Sequence, residues 1–586
     1  MSTSDENPDD PRPVTANELS RLRSSGIWAS ATTVSADATN LTEALVATLN
    51  GSAEGVLLPA ELQDLVAQVK AKATIGFPWI TAHDGVRLSA FSIRLNGDEP
   101  RPVVIVPAGW TPLGWTLFVY LYLRLATRGY HVLAYTPRGI GLTFPIPGGG
   151  FVDAPFTSKG TVDVAGPNDW ADGSTVIDYA QERFGPSKVA FLGESYGSGI
   201  SQLVAAHDPA ARVDAVVALS TWGDLADALY FNETRHLAAV EALSAFTGGP
   251  EKRKFDPATR QLLQDFRAGT NLEDVQAWAK ERAPLSYLEE TNARNIPTFF
   301  SNTWHETLFP VNALLETFEK LTVPKHLNLW IGDHAAPEGP GLTVPGPNVP
   351  VDEALAWLDH HVLGTANDVP SWPKVKSQVM FTPAVREDSA SWAEVTKRTE
   401  KLYLGAAAGS QDGTLGTSAA AGWQVSFTTG QLTEAKAVDE LLTTGQQEWQ
   451  GNPKTYPTGK FDRRYLATWT SPAAARRVRG VPRLQLTVTP AGESATLVAY
   501  LFDLAPDGTA RIITHEPYTL TSATAGQATT VSWNLQAAAY DVAADHKLML
   551  VVNAKDALYS DDNPALATLQ LSSPAGTEAR LDLPLG

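Results

Sequence analysis

The chain has 586 residues, 64 acidic against 45 basic for a net charge of −19, and no cysteine. Its length exceeds one ordinary core, so two or more domains are expected. The composition excludes disulfides, thiolate metal sites and a cysteine nucleophile, disfavours a general nucleic-acid binder, and contains no run of 18 or more apolar residues that could span a membrane.

The first thirteen residues are acidic and proline-rich, without the basic start and apolar stretch of a targeting signal. A cytoplasmic location is therefore the default expectation, with a mature secreted form left open. Residues 14–75 read as mostly helical, Leu62, Leu65, Val66 and Val69 forming one apolar stripe, and residues 1–76 are taken as a helical N-terminal extension. Alternation over 79–82 and 86–93 around His83-Asp84-Gly85 predicts a β-hairpin. Continuous apolar runs follow at 103–106, 132–135, 189–192, 215–219, 298–300 and 327–331. They suit strands buried on both faces of a parallel sheet. Helical stretches at 117–127 and 174–183 between them make the architecture α/β.

Between 219 and 298 lies an insertion too long for a simple crossover, with helical patterns at 225–243 and 257–266. The expected organisation is a catalytic α/β unit over 77–222 and 291–365 with a helical cap over 223–290. A helix at 351–363 and a linker at 364–373 follow. From 375 to 586, short alternating runs such as 484–488, 495–502 and 548–552, with turn signals such as Pro506-Asp507-Gly508, predict an all-β jelly-roll sandwich.

Gly193-Glu194-Ser195-Tyr196-Gly197 fits G-x-S-x-G. Its context gives it weight. It follows the apolar strand 188–192 and opens the helix-like run 200–206, the strand–turn–helix of a nucleophile elbow. The glycines let the backbone cross closely, Ser195 Oγ is exposed, and the Tyr196 N–H faces a developing oxyanion. In this fold the acid and then the histidine follow later strands. Glu306, after the strand at 296–302, is the candidate acid, with Asp333 and Glu194 as minor rivals. His334, after the strand at 325–331, is the candidate base. Glu194 is expected to point away from the nucleophile, as alternate neighbours do in extended backbone. The second oxyanion donor is expected from the N–H of Gly109 or Trp110. Trp110, Trp222 and Trp304 each follow a strand at the same edge and are candidate walls of an apolar pocket. No metal-ligand spacing, phosphate loop or dinucleotide fingerprint is present, so no cofactor or metal is expected.

These residues resemble the cocaine esterase and X-prolyl dipeptidyl aminopeptidase family over about residues 77–586. The resemblance is carried by Ala82-His83-Asp84-Gly85, by Arg138-Gly139-Ile140-Gly141, by the Ser195-Tyr196 elbow, by 284–310 with Glu306 where the family usually has Asp, by Gly332-Asp333-His334, and by 479–482 and 501–508. Where the family places a Tyr hydroxyl in the oxyanion hole, this chain has Gly109-Trp110. The resemblance implies an α/β-hydrolase with cap and C-terminal jelly roll, and a homo-oligomer. Its partners are expected to be small-molecule esters or amides. Ester hydrolysis is the first expectation, amide or X-Pro dipeptide cleavage the second. A non-catalytic jelly-roll binding protein is the alternative of another class.

Overall fold

The computed structural model describes residues 36–51, 58–146, 148–382, 384–407 and 411–586. The helical reading of 14–35 lies outside them. Its described part is two helices, Ala36–Leu49 and Ala60–Lys72. The stripe acts as its spacing dictates: Leu62, Val66 and Val69 are buried and join Leu45 and Val46 against one face of the sheet. The second helix runs directly into strand β1 (Ala73–Gly76), so the sheet starts at 73, before the boundary expected at 77. Only Ala73 of that strand is buried, which leaves no alternation to read.

The hairpin forms as β2 (Trp79–Thr81) and β3 (Arg87–Leu95). Then come β4 (Val103–Pro107), β5 (His131–Tyr135), β6 (Val189–Glu194), β7 (Val213–Leu219), β8 (Thr298–Thr303), β9 (Lys325–Trp330), β10 (Val375–Gln378) and β11 (Arg386–Ser389). They make one sheet in the order β1-β3-β5-β4-β6-β7-β8-β9-β10-β11, with β2 on β3. Neighbours from β5 to β10 are parallel, and the strands flanking them on either side are antiparallel. Both faces are covered, as continuous apolar runs require. Val103, Ile105, Leu133 and Phe191 face the helices Pro167–Phe184 and Tyr196–His207. Val104, Val106, Val132 and Leu192 face Val119–Arg128 and Val349–His361.

The insertion between β7 and β8 is helical, but 225–243 is not one helix. Leu225–Leu229 ends at a small ribbon, Tyr230–Phe231 paired with Thr234–Arg235, before Leu237–Phe246 begins. Asn232 turns the ribbon at positive φ, and its Nδ2 donates to the carbonyls of Pro517 and Asn534 in the C-terminal domain. Docking thus overrides helical periodicity there.

The boundary expected at 375 falls two strands early, because β10 and β11 extend the α/β sheet. Nothing in their alternation says which sheet they join. From 398 onward the strands build the jelly-roll sandwich. Ala495–Leu504 and Thr509–Leu520 pair around the predicted turn, with Leu497, Ala499 and Leu501 on one face and Val498, Tyr500 and Phe502 on the other. Among the described residues no helix is long and apolar enough to cross a membrane.

Candidate active site

The turn from β6 into the helix Tyr196–His207 holds Ser195 at φ 54°, ψ −124°, which L residues rarely adopt. Glycine makes it possible. A Cβ on Gly193 would collide with the Gly197 backbone, and one on Gly197 with the Pro107 carbonyl. The crossing presents Ser195 Oγ at the carboxyl end of the sheet, 2.7 Å from His334 Nε2. On the other side of the ring, His334 Nδ1 lies 3.0 and 3.1 Å from the two Glu306 oxygens. Glu306 is fully buried after β8, and its Oε1 also accepts the N–H groups of Leu308 (3.0 Å) and Phe309 (3.2 Å). Ser195, His334 and Glu306 thus form a continuous relay.

The relay sits among acids. Asp333, a rival for the role of acid, is turned elsewhere: it accepts the N–H groups of Thr307 and His334, both at 2.7 Å, and so ties the acid loop to the histidine loop. Burial and the Glu306 charge push Asp333 up to about 7. Glu338 is buried, accepts from the hydroxyls of Ser301 and Ser220, and is raised by that burial. Burial works against charge on His334, but the Glu306 carboxylate, with Glu194 and Asp333 behind it, raises its pKa above the usual imidazole value.

Glu194 does not point away. Its Oε1 lies 3.6 Å from His334 Nε2. Alternation fails here because Ser195, at positive φ, leaves the extended region. The loop after β4 closes on the same spot. A Cβ on Gly109 would lie 2.7 Å from Glu194 Oε2 and 3.7 Å from Ser195 Cβ, so this loop reaches Ser195 only as glycine. Tyr196 opens the helix, where the first N–H groups have no acceptor within it. Its hydroxyl is anchored away from the relay on Asp169 (2.5 Å).

An apolar pocket opens over Ser195. Trp110 and Trp222 line it, as expected, together with Val164, Tyr196, Phe309 and cap residues such as Leu263, Phe266 and Trp278. Both flanking indoles are fixed by backbone carbonyls, Trp110 to Leu243 (2.8 Å) and Trp222 to Arg282 (3.0 Å). None of the lining residues is charged. Trp304 is not among them. It is wholly buried, and its indole donates to Gln378 at 2.8 Å, against the strand β10 that lay beyond the expected domain boundary.

The neighbouring His305 is clamped between domains: Nδ1 lies 2.8 Å from Glu448 and Nε2 3.1 Å from the Ile513 carbonyl. Asn312, just after the acid loop, donates to Leu535 O (2.8 Å) and accepts from Ala537 N (2.9 Å). Glu338, Ser301, Ser220 and Glu448 carry no motif that would mark them in the sequence. Away from the relay, the described residues hold one group with metal-ligand geometry, His83, Asp84 and Asp172. The Arg138 guanidinium already bridges its two carboxylates at 2.6 to 2.9 Å.

Residues 84–336 match the family model of the X-Pro dipeptidyl-peptidase (S15 family), and residues 367–580 match that of the X-Pro dipeptidyl-peptidase C-terminal non-catalytic domain. Among solved structures, the chain is similar to a CocE/NonD family hydrolase from Staphylococcus aureus at 12% identity and TM-score 0.65, over 88% of this chain and 94% of that one. It is similar to an α-amino acid ester hydrolase at 15% identity and TM-score 0.66, over 88% and 97% of the two chains. An aminopeptidase from a marine sediment Thaumarchaeota archaeon matches at 15% identity and TM-score 0.62, over 87% and 96%. No curated protein matches the chain significantly in sequence.

Proposed function

Taking the chain as a serine hydrolase of the cocaine esterase and X-prolyl dipeptidyl-peptidase-like α/β-hydrolase family, we propose that it cleaves the carboxylic ester of a bulky, largely apolar small molecule through an acyl-enzyme. Ser195 Oγ attacks the ester carbonyl as His334 Nε2 takes its proton. Glu306 holds the Nδ1–H tautomer and stabilises the imidazolium. The oxyanion is received by the N–H of Tyr196 and that of Gly109 or Trp110. His334 then gives its proton to the departing alkoxide. Water, deprotonated by the same nitrogen, attacks the acyl-enzyme and restores Ser195.

The observation that carries the ester reading is the uncharged pocket directly over Ser195. Apolar acyl or alcohol groups gain free energy there in proportion to the area removed from water, about 25 cal/mol per Å². A free amino terminus, as an X-Pro dipeptide presents, needs an opposing carboxylate, because a buried unpaired ammonium is strongly disfavoured. The name of the matching family model supports this amide or X-Pro dipeptidyl-peptidase reading as the second one.

The two separate in one assay: p-nitrophenyl esters from acetate to octanoate beside Gly-Pro-p-nitroanilide, with the native chain and Ser195→Ala. Ester turnover that rises with acyl length and vanishes in the variant is expected. Ser195-dependent turnover of the anilide would move the chain to the peptidase branch. No Ser195-dependent turnover of either would favour a binding protein.

A further inference from the structure

The relay uses three side chains, yet a fourth stands against it. Glu306 occupies the Nδ1 side of His334. Glu194 Oε1 lies 3.6 Å from Nε2, the nitrogen that serves Ser195. The other Glu194 oxygen fills the notch left by the missing side chain of Gly109. Glu194 is buried at the end of β6, the strand that delivers the nucleophile. Resting on the Ser195–His334–Glu306 reading, we propose that Glu194 is a positioning residue whose carboxylate, at the Nε2 edge of His334, stabilises the imidazolium form and so sets the pH at which hydrolysis switches on.

The other acids facing His334 are engaged differently. Glu306 comes from the loop after β8 and fixes the tautomer. Asp333, its own neighbour, is committed to Thr307 and the His334 N–H. Glu338, four residues on, is held by Ser301 and Ser220. Phe309 packs edge-on against the ring, with centroids 5.3 Å apart, and brings no charge. Among the described residues, the carboxylate of Glu194 takes no hydrogen bond from another side chain or a backbone N–H, so its charge is left to His334. The coupling is mutual. Burial pushes Glu194 up to about 7 while the His334 charge pulls it back, and Glu194 in turn favours the charged imidazole.

The sign follows. His334 must be neutral to take the Ser195 proton, so activity rises as His334 deprotonates. Removing a negative charge beside Nε2 makes the imidazolium less stable, so His334 becomes neutral at lower pH. In Glu194→Gln, the acid limb of kcat/KM for a p-nitrophenyl ester is expected to move down by about one to two pH units. The alkaline plateau should fall, because the imidazolium of the transition state loses support. Glu194→Asp, which keeps the charge but draws it back by one methylene, should place the limb between the two. Should Glu194→Gln fail to fold, Glu194→Asp carries the test with a smaller shift. In the Ser195→Ala background, the downfield proton resonance of His334 should titrate with the same displacement when Glu194 is changed. A limb and a resonance that do not move would overturn the inference, however much the plateau drops. The triad reading fails on a separate result, ester turnover that survives Ser195→Ala.

Discussion

The two sides of the site are built on opposite principles. The end of β6 and the loops after β8 and β9 bring Glu194, Glu306, Asp333 and Glu338 around one imidazole, all of them buried. The cap side, over the same Ser195, offers Leu263, Phe266, Trp278 and Trp222 and no charge. Both sides are braced by the C-terminal sandwich, the cap through Asn232 on the carbonyls of Pro517 and Asn534. His305 and Asn312 tie the acid loop to the C-terminal sandwich, so the domain that lines none of the pocket holds the acid in register. Under the proposed function the chemistry belongs to the first side and selectivity mostly to the second, with Tyr196 and Phe309 shared between them.

The largest effect should come from the relay. Ser195→Ala or His334→Ala is expected to cost about 10⁶ in kcat, and Glu306→Ala about 10⁴, each with KM for an apolar ester little changed. A steady-state series checks this; a KM effect as large as the kcat effect would show that the two sides are not separate. Next comes the bracing. In Glu448→Ala the buried His305 loses its partner, and stability should fall by about 3 kcal/mol, read as a lowered Tm. Burial opposes charge on His305, but Glu448 raises its pKa in the folded chain. The pair's contribution is therefore fully present below the unfolded histidine value, about 6.5, and is lost as pH rises through the folded one. The Tm gap between native and variant should accordingly narrow as the pH is raised, and a gap that widens would contradict the clamp. The smallest effect belongs to the pocket. Trp278→Ala enlarges the cap wall and should shift the preferred acyl chain to longer esters, changing relative kcat/KM by about 10-fold with the pH profile unmoved.

Much of this was legible from residues alone. The elbow could be read because a strained nucleophile needs glycines at fixed offsets, and Gly193 and Gly197 occupy them. Glu306 and His334 could be read because chain order in this fold follows strand order. The structure brings these two and Ser195 together as expected. What stayed hidden depended on conformation or on distant chain. Glu194 was misplaced because alternation presumes extended backbone and Ser195 breaks it. Trp304 follows a strand like Trp222, but β10 covers it, and nothing in 375–378 announces which sheet it joins. The ribbon at 230–235 hides inside a helical pattern because its reason, Asn232 on the carbonyls of Pro517 and Asn534, lies almost 300 residues away.

The role of Ser195 as the nucleophile beneath an apolar pocket can be tested by labelling. An alkyl p-nitrophenyl phosphonate, followed by peptide mass spectrometry and residual esterase activity on the same sample, tests it most directly. The expected result is one phosphonyl group on Ser195, activity lost in proportion to labelling, faster labelling with longer alkyl chains, and no label in Ser195→Ala. Inactivation with the label on another residue, or a labelled Ser195 in a chain that still hydrolyses esters, would contradict the account.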